Sequence, residues 1–127
     1  MILGLGVDLV EVGRVARVLE RHGERFLKRI LTPEERLFVS KRAEPAQRVA
    51  AFFAAKEACL KALGTGLRGI SWQEIEVGHK PSGKPFLVLK GRAQERFEAL
   101  GGRAIHVSLS HERSHAVAVV IIEGEGR

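Results

Sequence analysis

Between Val49 and Gly64 the chain reads VAAFFAAKEACLKALG, a helix-forming run with almost no polar side. At 3.6 residues per turn, Val49, Phe52, Phe53, Leu60 and Leu63 make one apolar stripe. Ala50, Ala51, Ala54, Ala55, Ala58 and Ala62 fill the side where a surface helix would carry Lys and Glu. A helix that is apolar or small all round is packed on most sides, so the rest of the chain has to be built around it. Its only charges, Lys56, Glu57 and Lys61, then need partners or a ligand, because a buried ion left alone is costly. Lys56 projects into the large-residue stripe, whereas Glu57 and Lys61 stand four apart on one face.

The 127 residues, 45% of them hydrophobic, suit one domain spanning 1–127 with a real core. No stretch approaches the roughly 18 to 20 apolar residues of a membrane span. The first residues, MILGLGVDLVEV, lack a basic start and carry Asp8 inside the apolar run, so a cytoplasmic protein is expected. A single cysteine, Cys59, excludes an internal disulfide or a cysteine-based zinc site and reads as a small buried group. The net charge of +6 calls for an anionic partner without saying which.

Apart from the central helix, the pattern alternates short elements. Ile2–Val10 reads as a strand buried on both faces, with Gly4 and Gly6 allowing close backbone approach. Residues 12–22 read as a helix with Arg14, Arg17 and Arg21 along one side, and 24–30 as a short second one. Thr32-Pro33-Glu34-Glu35 is a helix start with a capping box. The long helix is expected over Pro45–Leu63, closed by Gly64-Thr65-Gly66. Trp72–Val77 and Pro85–Leu89 read as strands joined by a turn-rich connection, 91–100 as a helix, and Ala104–Ser110 and His115–Ile122 as a hairpin. The fold class is α+β, a mostly antiparallel sheet packed on the long helix.

Several residues could carry chemistry. Asp8 near the end of an apolar strand either caps the following helix or faces a cation. Glu57 either pairs with Lys61 on a solvated face or joins Asp8. Two carboxylates with a ligand's phosphates are the usual protein share of a magnesium site. Lys56 and Lys61 either snorkel or neutralise phosphate oxygens. In the 105–111 segment the alternation puts Ser108 and Ser110 on one face, with His111 at the edge of the turn.

The chain resembles the holo-(acyl-carrier-protein) synthases, the small single-domain class of 4'-phosphopantetheinyl transferases. The resemblance rests on Gly4-x-Gly6-x-Asp8, Ile30-Leu31-Thr32-x-x-Glu35, Phe53-Ala54-Ala55-Lys56-Glu57-Ala58-x-x-Lys61-Ala62-x-Gly64-Thr65-Gly66, Gly83-Lys84-Pro85 and Val107-Ser108-Leu109-Ser110-His111, in order over essentially the whole chain. It implies transfer of 4'-phosphopantetheine from coenzyme A to a serine of an apo acyl carrier protein, with Mg²⁺ and release of adenosine 3',5'-bisphosphate, in fatty acid biosynthesis. It implies Asp8 and Glu57 as metal ligands, Lys61 and Lys56 on the pyrophosphate, and Glu57 or else Asp8 as acceptor of the serine proton. Ser110 and His111 would meet the nucleotide's phosphate, and Gly83, Lys84 and Pro85 would lie beside the adenine.

By the same resemblance the first helix meets the acidic carrier, so Arg14, Arg17 and Arg21 form the expected docking surface, with Arg25 and Lys28 as extensions. A homotrimer with sites between subunits is also implied. One position departs from the family. Phe52 stands where an arginine commonly holds the 3'-phosphate, and Arg48, one turn earlier, is the candidate substitute. The rival reading is a small basic nucleic-acid-binding domain, which would show basic or aromatic residues on exposed sheet faces. No nucleic-acid or membrane partner is expected under the transferase reading.

Overall fold

The computed structural model describes residues 1–125 and runs β1 (Ile2–Glu11), α1 (Val12–Ile30), α2 (Pro33–Ser40), α3 (Pro45–Leu63), a 3₁₀ turn (Trp72–Glu74), β2 (Ile75–His79), β3 (Pro85–Leu89), α4 (Gly91–Ala99), β4 (Gly102–His111) and β5 (His115–Gly124). Gly126 and Arg127, the last two residues of the domain expected over 1–127, lie outside the described residues. The strands form two antiparallel sheets, β1-β5-β4 and β2-β3.

Local signals set most of these bounds. Pro45 opens α3, and Gly64, at φ 78°, ends it in the left-handed conformation that glycine adopts without strain. The capping box of α2 is complete: Glu35 N donates to Thr32 Oγ1 at 3.2 Å and Thr32 N donates to Glu35 Oε1 at 2.9 Å. The two short helices expected over 12–22 and 24–30 meet at Gly23, whose φ of 41° and ψ of −115° kink α1 between them.

The core is α3 pressed against the inner face of the three-stranded sheet. Twelve α3 residues are buried, including all six alanines of the 49–62 run. Ala58 and Ala62 meet the backbone of Gly6 and Gly4, and Ala116, Ala118, Val120 and Ile122 of β5 complete that face. Cys59 lies fully buried here, and burial pushes its thiol up to about 12, so it serves as an apolar filler.

Two expectations about strands need correction. Trp72–Glu74 is a 3₁₀ turn, and the strand begins only at Ile75. β1 is not covered on both faces: Leu5, Val7 and Leu9 are 64%, 54% and 65% exposed. They pair with Ile121, Val119 and Val117 of β5, so β1 and β5 give the outer face an aliphatic strip that α3, lying on the other side, does not reach, bordered on β4 by His106, Ser108 and Ser110. That strip is aliphatic, unlike the aromatic and basic platform that a nucleic-acid-binding domain would present there.

Candidate active site

The close approach of β1 to α3 brings the first group of candidates together. Asp8 follows Gly6 on the inner face of β1, and Glu57 and Lys61 rise from the adjoining side of α3. Lys61 Nζ donates to Asp8 Oδ1 at 3.2 Å and to the Val7 carbonyl oxygen at 2.9 Å. Asp8 and Glu57 line a cavity of about 480 Å³ together with Arg14, Val18, Phe26 and Phe53. Burial, and after it the Asp8 carboxylate, push the Glu57 carboxyl above its ordinary value, with Lys61 pulling the other way.

The chemistry of this donor set suits a hard divalent cation. It offers carboxylate oxygens, and the Lys61 ammonium already stands against one of them as a cation in place. No group of three or more His, Cys, Asp or Glu side chains converges among the described residues, so a metal held here needs oxygens from its substrate or from water. That is how Mg²⁺ is usually bound.

Lys56 belongs elsewhere. The pyrophosphate contact expected of it is contradicted by its position: the side chain is 0% exposed and all three ammonium protons are used inside the protein. Nζ donates to Glu35 Oε1 at 2.8 Å, to the Ile75 carbonyl at 2.6 Å and to the Trp72 carbonyl at 3.1 Å. Glu35 Oε2 accepts from Val77 N at 2.7 Å. The pair therefore joins α2, α3, the 3₁₀ turn and β2. Burial pulls Lys56 below the ordinary lysine value, against the pull of Glu35. The sequence shows Glu35 as a capping residue and gives no local sign of this second role.

The other candidates lie around α3 from the first group. Arg48 and Glu57 are nine residues apart, which turns them about 180° from each other round the helix. Arg48 Nε is buried with no hydrogen-bond partner among the described residues. Near it, His111 shares its Nδ1 with Gln47 Oε1 at 2.9 Å, and His79 stacks on Phe38 at 4.3 Å between ring centroids and on Phe52 at 5.7 Å. Arg42 lies over the far side of the stack, 4.1 Å from the Phe38 centroid. Burial and then the Arg48 charge hold both histidines below their ordinary value, with Arg42 adding to the effect at His79.

Phe52 is thus a core residue that carries His79. His79 closes β2, two residues beyond the expected end of that strand at Val77, and no local pattern in the sequence marks it. Pro85 pairs with His79 across the β2-β3 hairpin, so Pro85 and the exposed Gly83 and Lys84 before it stand beside this group. Ser110 does not join it. It is exposed on the outer face of β4, opposite to His111, because successive strand residues alternate.

Arg14, Arg17 and Arg21 are exposed on α1, as are Arg25 and Lys28 beyond the kink. Arg14 also lines the cavity of Asp8 and Glu57, so the basic stripe runs up to the carboxylates. None of the described helices is long and apolar enough to cross a membrane.

The model of the 4'-phosphopantetheinyl transferase superfamily matches residues 4–120. A holo-[acyl-carrier-protein] synthase from Koribacter versatilis is 50% identical over 124 residues, covering 97% of this chain and 99% of its own. Among solved structures, a holo-[acyl-carrier-protein] synthase from Neisseria meningitidis superposes with a TM-score of 0.90 at 39% identity, covering 97% of this chain and 99% of that one. The synthase from Helicobacter pylori, solved in complex with coenzyme A, gives 0.83 at 30% identity, with 94% and 99% covered. The match runs through the strand of Asp8, the helix of Glu57 and Lys61 and the hairpin of His111, and the chain belongs to the 4'-phosphopantetheinyl transferase superfamily, among its holo-[acyl-carrier-protein] synthases.

Proposed function

We propose that this chain transfers the 4'-phosphopantetheine group of coenzyme A to a serine of an apo acyl carrier protein, in the cytoplasm and for fatty acid biosynthesis. The observation that carries the reading is the meeting of Asp8, Glu57 and Lys61 at the end of the basic stripe on α1. The serine oxygen attacks the phosphorus that bears the pantetheine arm, a phosphorus–oxygen bond forms, and the bond to the nucleotide's phosphate breaks. Adenosine 3',5'-bisphosphate leaves.

Each side chain has a part in that exchange. Asp8 and Glu57 hold Mg²⁺, which when bound offsets charge on the pyrophosphate. Lys61, more than half exposed, swings to the phosphates and steadies the leaving group. Glu57, a carboxylate bordering the cavity at the end of the basic stripe, accepts the serine proton. At the other end Arg48, whose charge adds to burial in holding the neighbouring His79 and His111 rings toward their neutral form, keeps a buried Nε with no partner among the described residues, which supports it as the seat of the nucleotide's 3'-phosphate in place of an arginine at position 52. Gly83, Lys84 and Pro85 border the adenine, and Arg14, Arg17 and Arg21 dock the carrier.

The two groups lie on opposite sides of α3, so one molecule of coenzyme A spans them best when they come from neighbouring copies. The exposed Leu5, Val7 and Leu9, flanked by Val117, Val119 and Ile121, supply an apolar face for such contact, and a homotrimer is the assembly we assign. The direct test mixes the protein, an apo carrier protein, coenzyme A and Mg²⁺ and weighs the carrier by mass spectrometry. A phosphopantetheine added to the carrier is expected, and is expected to vanish with Glu57→Gln. No added mass, where a known transferase works, overturns the reading.

A further inference from the structure

The Lys61 ammonium stands against Asp8 Oδ1, one of the two oxygens by which Asp8 would hold a metal. Its two acceptors, Val7 O and Asp8 Oδ1, belong to consecutive residues of β1. The Val7 bond does not depend on any carboxylate, so it keeps the ammonium at this end of the strand whatever charge Asp8 carries. Around it two positive charges, Lys61 and Arg14, face the three carboxylates of Asp8, Glu57 and Glu11. That leaves a net attraction for a further cation, reduced by the resident lysine.

The size of that reduction follows from the geometry. A cation bound to Asp8 Oδ1 at about 2 Å lies within roughly 5 Å of an ammonium 3.2 Å from the same oxygen. A charge of +2 and one of +1 at that separation repel strongly enough in water to weaken binding about tenfold. The two partners also differ in freedom. The Asp8 side chain is 17% exposed and held on the inner face of β1, whereas that of Lys61 is 54% exposed on a flexible stem. When the contact gives way, the lysine is the part that moves.

We infer that Lys61 is a built-in competitor for the divalent cation at Asp8, and that the pyrophosphate of coenzyme A relieves the competition by taking up the ammonium. The inference rests on the reading of Asp8 and Glu57 as the metal pair. Its consequence is an order of events. Metal alone binds weakly, and metal with coenzyme A binds well, because the pyrophosphate both adds oxygens to the cation and draws Lys61 off Asp8. The residue that steadies the leaving group during transfer thus also makes metal binding depend on substrate.

The test counts bound Mn²⁺ by electron paramagnetic resonance for the wild-type protein, Lys61→Gln and Lys61→Arg, with and without coenzyme A. Without coenzyme A, Lys61→Gln is expected to bind Mn²⁺ about tenfold more tightly than wild type, and Lys61→Arg, which keeps the charge, to stay close to it. Coenzyme A is expected to raise the wild-type affinity by a larger factor than that of Lys61→Gln. Loss of a merely structural contact would not tighten metal binding, and thermal unfolding of each variant confirms that it is folded.

Should Lys61→Gln bind Mn²⁺ no better than wild type while Asp8→Asn weakens binding, the competition is refuted and the metal pair stands. Should no protein bind Mn²⁺ even with coenzyme A, with Asp8→Asn making no difference, the metal pair falls and the competition falls with it.

Discussion

Gly6 and Ala58 set the separation of β1 from α3. A Cβ at Gly6 would lie 1.9 Å from the Ala58 carbonyl oxygen, and one at Gly4 would lie 2.1 Å from that of Ala62. Gly6 is two residues before Asp8 on the same face of the strand, and Ala58 directly follows Glu57. The contact that closes the core is therefore the one that holds the carboxylates and Lys61 in register.

Gly6→Ala forces a shift of more than an ångström between two backbones that have no flexible side chain to yield. Overpacking of this kind costs about 3 kcal/mol, to be read from urea unfolding. At a temperature where the variant is folded, kcat is expected to fall well below that of wild type, because Asp8 and Lys61 separate. An alanine tolerated with full activity would show that the strand has room to move away.

Lys56→Met tests the buried pair. Removing one member of such a pair leaves the other charge uncompensated, at a cost of about 3–5 kcal/mol. Replacing Glu35 by Leu in the same chain is expected to restore only part of that loss, since it removes the uncompensated charge but leaves Val77 N and Thr32 N without their acceptor. The KM for coenzyme A of the folded Lys56→Met protein stays near that of wild type, in keeping with a side chain that is 0% exposed. A large rise in that KM would return Lys56 to the phosphates.

The contrast between Lys56 and its neighbours shows what the sequence discloses. The bounds of α3 were readable because Pro45, Gly64 and the alanine-rich run are local signals. Asp8, Glu57 and Lys61 were readable because two short motifs carry them and a glycine pattern brings the motifs together. The partner of Lys56 lies 21 residues away, and nothing near either residue announces it. Its acceptors include the Trp72 carbonyl, which helps explain why the segment expected to start a strand is wound into a 3₁₀ turn. The alternation in β1 showed two apolar faces, but not that α3 covers only one of them. His79 takes its surroundings from Phe38, Phe52, Arg42 and Arg48 on two helices, an arrangement without any local signature.

Burial and the charges of Arg48 and Arg42 hold His79 below its ordinary value of 6.5, so the unfolded chain takes up the proton first as pH falls. The stability contributed by the neutral imidazole is full above pH 6.5 and is lost as pH drops through the lower, folded value. Thermal unfolding between pH 7.5 and pH 5 is expected to show a falling Tm, and His79→Phe, which keeps a ring between Phe38 and Phe52, to show a smaller fall. Equal slopes for the two proteins would mean that the proton goes elsewhere.

Charge reversal on α1 separates carrier docking from the chemistry. Arg17 and Arg21 are exposed and outside the cavity of Asp8 and Glu57, whereas Arg14 reaches into it. Arg17→Glu with Arg21→Glu is expected to raise the KM for the carrier protein about tenfold and leave the KM for coenzyme A alone, because like charges now face the acidic partner. Added salt screens attraction in the wild type and repulsion in the variant, so the two KM values for the carrier converge as ionic strength rises. Because Arg14 borders the carboxylates, Arg14→Glu is expected to lower kcat as well. If all three reversals changed only the KM, Arg14 would belong to the docking surface alone and the stripe would end short of the site.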